Sequence, residues 1–190
     1  LYLPSNVHFA DDAEYVFDGA KNLKKAIVAC KLCPNMFYES KELSEVEISQ
    51  ENKLAELPDG AFYLCSSLEK INFPSTLKRI GASCFYYSNL SDVKLNEGLE
   101  TIDEYAFYFA ANCNSIEFPS TLKSIGKSAF LGCPFNAIQL NDGLSSVGEK
   151  AFYGNNFKFV TIPISVTSIG EKAFGYISDS ETIDGFTIYG

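Results

Sequence analysis

Residues 115–133 read SIEFPSTLKSIGKSAFLGC, and the spacing of their apolar side chains determines the fold class. Ile116 and Phe118 alternate with a polar residue, as on one face of a short strand. The following run, Leu-x-x-Ile-Gly-x-x-Ala-Phe, ends at Phe130. Its spacing suits a short strand or extended turn followed by a single helical or 3₁₀ turn. The stretch therefore predicts a compact strand-and-turn unit.

The same unit recurs on both sides of this stretch. LEKINFPSTLKRIGASCF occupies residues 68–85, and FVTIPISVTSIGEKAF occupies residues 159–174. A phenylalanine returns about every 22 residues, a period typical of repeat architectures. The members of this phenylalanine ladder are Phe17, Phe37, Phe62, Phe85, Phe107, Phe130, Phe152 and Phe174. The ladder predicts a solenoid in which each unit buries its apolar face against its neighbours.

The three stretches resemble the BspA-like leucine-rich repeats, whose unit runs roughly L-x-x-I-x-I-P-x-x-V-x-x-I-G-x-x-A-F-x-x-C. The resemblance implies an α/β fold, namely a right-handed, horseshoe-shaped solenoid with one short strand per repeat. Those strands would form a parallel β-sheet on one face, with short turns or 3₁₀ and helical segments elsewhere. The resemblance also implies a secreted or cell-surface protein of bacteria or protists, of a kind often involved in adhesion.

Because the repeat is unbroken, we expect residues 1–190 to form a single leucine-rich-repeat domain of about eight repeats. Residues 1–36 hold degenerate N-terminal repeats, residues 37–174 the regular repeats, and residues 175–190 a C-terminal exit repeat. Asp12 stands where other units have isoleucine, which makes the first turn irregular. We interpret the chain as a fragment or mature segment of a longer protein.

The net charge and the lengths of the apolar runs limit the classes of partner that the chain can bind. The formal net charge of −9 disfavours nucleic acid, whose binding needs basic patches. No apolar run approaches the roughly 20 residues of a membrane span, so we expect no membrane insertion within this segment. We expect a monomer that binds a protein or glycan partner on a host or neighbouring cell.

Four of the six cysteines fill apolar or small slots of the repeat, and we expect them to be free buried thiols: Cys65, Cys84, Cys113 and Cys133. Cys30 and Cys33 form a CxxC pair, for which a metal or redox site, a disulfide and plain buried thiols all remain open. A structural zinc site would need a second pair or nearby histidines, and the chain has only His8. We therefore expect no metal and no cofactor.

Catalytic constellations are equally sparse. A Ser–His–Asp arrangement would have to use His8, in the least regular part of the chain, where we expect an exposed or end-cap histidine. The recurring glycines punctuate the repeat and do not form a phosphate-binding loop: Gly81, Gly126, Gly148 and Gly170. We expect no catalytic residues and predict that the chain is not an enzyme.

Two surfaces could bind a partner. On the predicted sheet, the residue between the two alternating apolar positions points outward. This strand face is polar and lacks an aromatic anchor: Glu47, Asn72, Lys94, Glu117, Gln139 and Thr161. A solvated sheet face without a ligand is the alternative interpretation.

The second surface is a tyrosine stripe on the residues that follow the ladder phenylalanines. Its members are Tyr38, Tyr63, Tyr86, Tyr108 and Tyr153, with Tyr87 and Phe109 beside them and Leu131 interrupting the series. Stacked at the spacing of neighbouring strands, these rings would form a ridge, and tyrosine combines apolar area with a polar tip. The alternative is that the rings merely cover the turn beneath them.

A binding module of a secreted or cell-surface protein, mediating protein or glycan recognition or adhesion, is the function that these patterns favour. The alternative is a structural spacer that displays a neighbouring domain and has no ligand of its own. The tyrosine stripe is the preferred site, because buried aromatic area usually dominates interface energetics.

Overall fold

The computed structural model describes residues 1–51, 53–91, 93–157, 159–175 and 187–189. In chain order the strands are β1 (Tyr2–Leu3), β2 (Lys25–Val28), β3 (Glu45–Ile48), β4 (Glu56–Leu57), β5 (Lys70–Ile71), β6 (Arg79–Ile80), β7 (Val93–Lys94), β8 (Thr101–Ile102), β9 (Ile116–Glu117), β10 (Ser124–Ile125), β11 (Ser146–Val147), β12 (Phe159–Thr161), β13 (Ser168–Ile169) and β14 (Thr187–Tyr189). Each strand pair given by the structure is parallel, as predicted for a solenoid.

Two separate rows of strands run along the solenoid. The first row carries the strand face and comprises β1-β2-β3-β5, β7-β9 and β12-β14, with a bridge from Gln139 to Thr161. The second row is one continuous sheet in the order β13-β11-β10-β8-β6-β4. The expectation of one strand per repeat and a sheet on one face only is therefore wrong. The Leu-x-x-Ile segment pairs with its copies in neighbouring turns and forms this second sheet.

The third side of the solenoid, the turn face, is built by the segments around the ladder phenylalanines. No helix occurs there or elsewhere in the described ranges, so the helical segments and the α/β class are not supported. Left-handed residues lie two positions before each ladder phenylalanine and two positions after those from Phe17 to Phe152; Ser83 and Tyr87 around Phe85 have φ of 54° and 55°. A right-handed helix of L-residues cannot accommodate such residues at this spacing.

Hydrogen bonds between repeats replace the helical ones on the turn face. The amide of Phe85 donates to the carbonyl of Ala106 at 2.7 Å, and the amide of Phe107 donates to that of Ala129 at 2.7 Å. Alternate amides instead close tight turns, as when Tyr86 donates to Ser83 at 3.2 Å. Since buried backbone groups need partners, these hydrogen bonds between repeats satisfy the backbone amides and carbonyls of the turns without a helix.

One hydrophobic core extends from Leu3 to Ala173. Phe107, at its centre, is 0% exposed, and its ring centroid lies 5.1 Å from that of Phe85 and 5.0 Å from that of Phe130. The prediction that the ladder forms the core is confirmed. At the N-terminal end, Phe17 stacks on Phe37 at 5.3 Å and is partly buried.

Glycine allows adjacent turns to approach closely at the second sheet. A Cβ placed on Gly126 would lie 2.5 Å from the carbonyl carbon of Asp103, and one on Gly148 would lie 2.5 Å from the amide nitrogen of Lys127. Any side chain would collide with the backbone of the preceding turn. The recurring glycines are therefore packing positions. The handedness of the coil, the horseshoe curvature and the division into repeat regions stay predictions, and residues 176–186 and 190 of the expected exit repeat lie outside the described residues.

Candidate functional site

The strand face is exposed at all six predicted positions: Glu47, Asn72, Lys94, Glu117, Gln139 and Thr161. Parallel register places Lys94 opposite Glu117, where unlike charges face each other. Near the N-terminal end, Lys25 Nζ lies 2.8 Å from Glu45 Oε1 and 3.5 Å from Glu47 Oε2. Glu45 and Glu47 accordingly raise the pKa of Lys25, the hydrogen bond to Glu45 being the main cause. Opposite charges within the face leave little net potential to attract a charged ligand.

Asn72 has a structural role that its sequence position did not reveal. Its Oδ1 accepts a hydrogen bond from the amide of Ile48 at 2.7 Å, and its Nδ2 donates to the carbonyl of Ile48 at 2.8 Å. The side chain thus continues the hydrogen-bond pattern at the end of β3. Because both ends of the amide are occupied, Asn72 is a weaker candidate for ligand contact.

The tyrosine stripe forms a continuous stack over four consecutive turns. Ring centroids are separated by 4.9 Å between Tyr38 and Tyr63, with planes 6° apart. Tyr63 to Tyr86 and Tyr86 to Tyr108 are each 4.7 Å, with planes 13° and 2° apart. Tyr15 adds an edge contact to Tyr38 at 5.4 Å. Each stacked ring is half-buried, so one edge of the stack faces solvent.

The stack is interrupted by Leu131, as the sequence indicated. Tyr153 lies beyond that residue, where its ring lies over Gly175: a Cβ there would meet Cδ2 of Tyr153 at 2.7 Å. The structure therefore brings together four of the predicted stripe residues and places Tyr153 apart from them. Burial, followed by neighbouring tyrosines, raises the pKa of Tyr86 and Tyr108, so both of these hydroxyls are protonated at neutral pH.

A second, shorter column runs beside the stack. Tyr87 stacks on Phe109 at 5.3 Å with planes 7° apart, and Tyr87 is 44% exposed. Phe109 lies over Gly132, where a Cβ would meet its ring at 2.8 Å. The sequence pattern placed both Tyr87 and Phe109 beside the stripe but did not predict their left-handed backbone conformation. The available signal was the slot itself, two residues after the ladder phenylalanine, which glycine fills in three other turns, at Gly19, Gly132 and Gly154.

A groove of about 630 Å³ runs along the second sheet, and the sequence pattern did not indicate it. Its floor carries a row of hydroxyls in register, from Thr101, Ser124, Ser146 and Ser168. At one end Arg79 binds carboxylates from the turns on both sides of its own: its Nε lies 2.6 Å from Asp103 Oδ2, with Glu56 at 3.3 Å and Asp59 at 2.7 Å. All three carboxylates pair with the guanidinium group of Arg79, so this cluster stabilises the contacts between turns.

The BspA type leucine rich repeat region matches residues 5–113, 30–146 and 100–186, in six copies. The chain belongs to the BspA-type leucine-rich-repeat family. The stacked phenylalanines, the packing glycines and the cysteine slot are thus features of a BspA-type solenoid.

Two solved structures are similar to this BspA-type chain. A leucine-rich-repeat protein of T. pallidum is 24% identical, with a TM-score of 0.61 over 70% of this chain and 71% of that chain. A leucine-rich cell surface protein of Faecalibacterium prausnitzii is 25% identical, with a TM-score of 0.65 over 98% of this chain and 46% of that chain. The chain thus spans less than half of the second protein. No curated protein sequence matches the chain.

The cysteine slot of the BspA-type repeat provides hydrogen bonds between turns. Cys65 Sγ donates to the carbonyl of Phe37 at 3.1 Å, and Cys133 Sγ donates to that of Phe107 at 3.2 Å. Burial raises the pKa of Cys65 and of Cys113 to about 12. The prediction of free buried thiols is confirmed for all four: Cys65, Cys84, Cys113 and Cys133.

Cys30 and Cys33 are also reduced and buried, and burial raises the pKa of both thiols. No group of three or more His, Cys, Asp or Glu side chains in the described part of the chain is arranged to hold a metal ion. His8 is exposed. No helix within the described ranges is long and apolar enough to cross a membrane.

Proposed function

We propose that this BspA-type solenoid is a non-enzymatic binding module of a secreted or cell-surface protein, and that it recognises a partner protein through the tyrosine stripe. The stack from Tyr38 to Tyr108 carries the proposal. It holds large amphipathic rings in a rigid row, so that binding would cost little side-chain entropy. Membership of the family and the cell-surface description of the F. prausnitzii relative support surface location and a role in adhesion.

The ring geometry favours a protein partner over a glycan. A sugar ring recognised by an aromatic side chain stacks its C–H groups on an open aromatic face. Tyr63 and Tyr86 each have a neighbouring ring on both faces at 4.7–4.9 Å, so their faces are covered. Only ring edges and hydroxyls reach solvent. Such edges suit side-chain contacts and hydrogen bonds from a protein surface.

The spacer role remains the second candidate, and the strand face favours it. Lys25 pairs with Glu45 and Glu47, and Asn72 bonds to Ile48. Many charges and hydrogen-bonding groups of the strand face are therefore already paired within the solenoid. A spacer would hold a neighbouring domain away from the surface with no ligand of its own. It would not, however, need the aromatic row to face solvent.

Capture from a library of displayed surface proteins tests the proposal. Replacing Tyr63, Tyr86 and Tyr108 with serine should weaken binding of a captured partner at least tenfold, or about 1.4 kcal/mol. The same three positions changed to phenylalanine keep the stack and remove the hydroxyls, which separates apolar from hydrogen-bonded contributions. Circular dichroism verifies that each variant is folded.

The matched control replaces exposed strand-face residues, Glu47, Lys94 and Glu117, with serine. We expect that variant to bind the partner nearly as well as the parent chain. Loss of binding in the control, with retention in the tyrosine variant, would show that the site lies on the strand face. A chain that captures no partner at any concentration would support the spacer role.

A further inference from the structure

The groove along the second sheet presents a row of hydroxyls that the fold does not use. Parallel register aligns one side chain from each of the neighbouring strands β8, β10, β11 and β13: Thr101, Ser124, Ser146 and Ser168. All of them line the groove, and each is half-buried or exposed. None of these hydroxyls has a hydrogen-bond partner among the residues that the structure describes. We call them the hydroxyl row, and they are available to a ligand.

The neighbouring hydroxyls outside the groove, by contrast, bond within the solenoid. Ser145 Oγ donates to the carbonyl of Lys123 at 2.8 Å, and Thr167 Oγ1 donates to that of Ser145 at 3.3 Å. Ser145 and Thr167 each lie one residue before a member of the hydroxyl row, and neither lines the groove. Two residues after members of the row, glycines present no side chain to the groove: Gly126, Gly148 and Gly170. The row therefore lies in an open groove.

The charges of the groove disfavour an anionic ligand. Its lining holds three acids and two bases, one net negative charge: Asp59, Asp103, Glu104, Arg79 and Lys127. Arg79 pairs with Asp59 at 2.7 Å and also with Asp103. Lys127 pairs with Glu149 at 2.9 Å. A phosphate or carboxylate ligand would have to compete with these carboxylates for both cations, so a neutral ligand fits the groove better.

We propose that the hydroxyl row binds a neutral, extended polysaccharide of the β-linked glucan type, with one sugar unit over each turn. Serine and threonine hydroxyls both donate and accept hydrogen bonds, as sugar hydroxyls do. Neighbouring strands lie about 4.8 Å apart, which is close to the length of one sugar unit in such a chain. An extended peptide repeats its side chains on one side about every 6.7 Å and would lose register along the row.

This site goes beyond the proposed recognition of a protein. The hydroxyl row lies on the second sheet, whereas the tyrosine stripe lies on the turn face. No aromatic side chain lines the described groove, so a sugar would gain hydrogen bonds without ring stacking. We therefore expect weak binding of a short oligosaccharide, with a dissociation constant of about 1 mM. A long polysaccharide that engages several copies of the chain would bind more tightly through multivalency.

Titration of the isotope-labelled chain with cellohexaose, followed by amide chemical shifts, tests the proposal. We expect shifts at the amides of Ser124, Ser146 and the glycines beside them. Maltohexaose is the matched control, because it contains the same number of the same sugar but its α-linkages curve the chain away from the row. It should bind at least tenfold more weakly. Because the ligand is neutral, raising the salt concentration from about 0.02 to about 0.5 M should leave cellohexaose binding unchanged.

Three double variants test the role of the hydroxyls. Ser124→Ala with Ser146→Ala breaks no hydrogen bond within the described residues and should raise the dissociation constant at least tenfold in a folded chain. Ser124→Thr with Ser146→Thr keeps the hydroxyls, suits a strand as Thr101 does, and should stay within about threefold of the parent. Ser145→Ala with Thr167→Ala removes hydroxyls outside the groove and should also bind within about threefold. Circular dichroism verifies the fold of each variant.

Several outcomes would overturn the inference. Groove amides that do not shift in about 10 mM cellohexaose exclude the site. Equal binding of maltohexaose excludes the match to the strand spacing, and unchanged binding by the alanine variant of Ser124 and Ser146 excludes the hydroxyl row.

The tyrosine variant separates this inference from the proposed function. Replacing Tyr63, Tyr86 and Tyr108 with serine should leave cellohexaose binding unchanged. Loss of cellohexaose binding in that variant would place the glycan on the tyrosine stripe, which contradicts both the groove site and the argument for a protein partner there. A chain that binds cellohexaose in the groove but captures no protein would support this inference and count against the proposed function alone.

Discussion

Replacing Phe107 with alanine would remove a central ring of the phenylalanine ladder. Phe107 is 0% exposed, and its ring lies between those of Phe85 and Phe130 at 5.1 and 5.0 Å. Truncating a buried phenylalanine costs about 3–5 kcal/mol of unfolding free energy. The two ring contacts contribute about 0.5–1.5 kcal/mol each within that range.

The upper part of that range is expected here, because the surrounding structure cannot collapse into the cavity. The amide of Phe107 donates to Ala129 at 2.7 Å, and its carbonyl accepts from Cys133 Sγ at 3.2 Å, which holds the turn in place. We therefore predict a loss of about 4–5 kcal/mol. For a chain of this size the melting temperature should fall by about 8–20 °C, at about 2–4 °C per kcal/mol.

Urea unfolding and thermal melting, followed by far-ultraviolet circular dichroism, measure this loss. Phe17→Ala is the matched control, because Phe17 is partly buried at the end of the ladder and stacks on Phe37 at 5.3 Å. Phe17→Ala should lower the free energy of unfolding by at least 1–2 kcal/mol less than Phe107→Ala does, or by roughly half as much. A Phe107→Ala melt within a degree of the parent, or equal losses in the two variants, would refute the stacking argument.

Two other predictions follow from burial and close contact. Cys65 and Cys113 should resist thiol reagents at neutral pH in the folded chain and react on denaturation. Since burial raises the pKa of both to about 12, their contribution to stability is fully present below the unfolded thiol pKa and is lost as pH rises towards about 12. Fast labelling of the native chain would contradict this. Gly148→Ala should destabilise the fold by about 2 kcal/mol or more, because its Cβ would lie 2.5 Å from Lys127 N. A Cβ on Gly19 would meet no atom within 4 Å, so Gly19→Ala should cost only the left-handed backbone strain, about 1 kcal/mol. Equal melting temperatures for the two variants would show that the contact between residue 148 and Lys127 N does not limit stability.

Much of this architecture was predictable because a repeat multiplies each local signal. Phe85, Phe107 and Phe130 recur in phase, and only stacking of identical units buries them all. In-register stacking also places the residues that follow them, Tyr86 and Tyr108, at strand spacing. The tyrosine row therefore follows from the period itself.

Conformations that depend on contacts between turns were decided by the tertiary structure. The sequence predicted a helical turn around Phe85, yet Ser83 and Tyr87 are left-handed. Neither residue type signals a positive φ, and the hydrogen bonds that hold the turn come from the next repeat. Strands of the second sheet are only two residues long, too short for alternation to reveal them.

The roles of single polar side chains were likewise invisible in the linear chain. Arg79 binds Glu56 and Asp59 of the preceding turn and Asp103 of the following turn, and the side-chain amide of Asn72 bonds to Ile48 in the preceding turn. Sequence alone determined which positions are buried and how they repeat, because apolar periodicity is a local property. The partners of the remaining polar groups were set by the stacking of residues about 20 or more apart in sequence, since only that stacking brings donors and acceptors within hydrogen-bond distance.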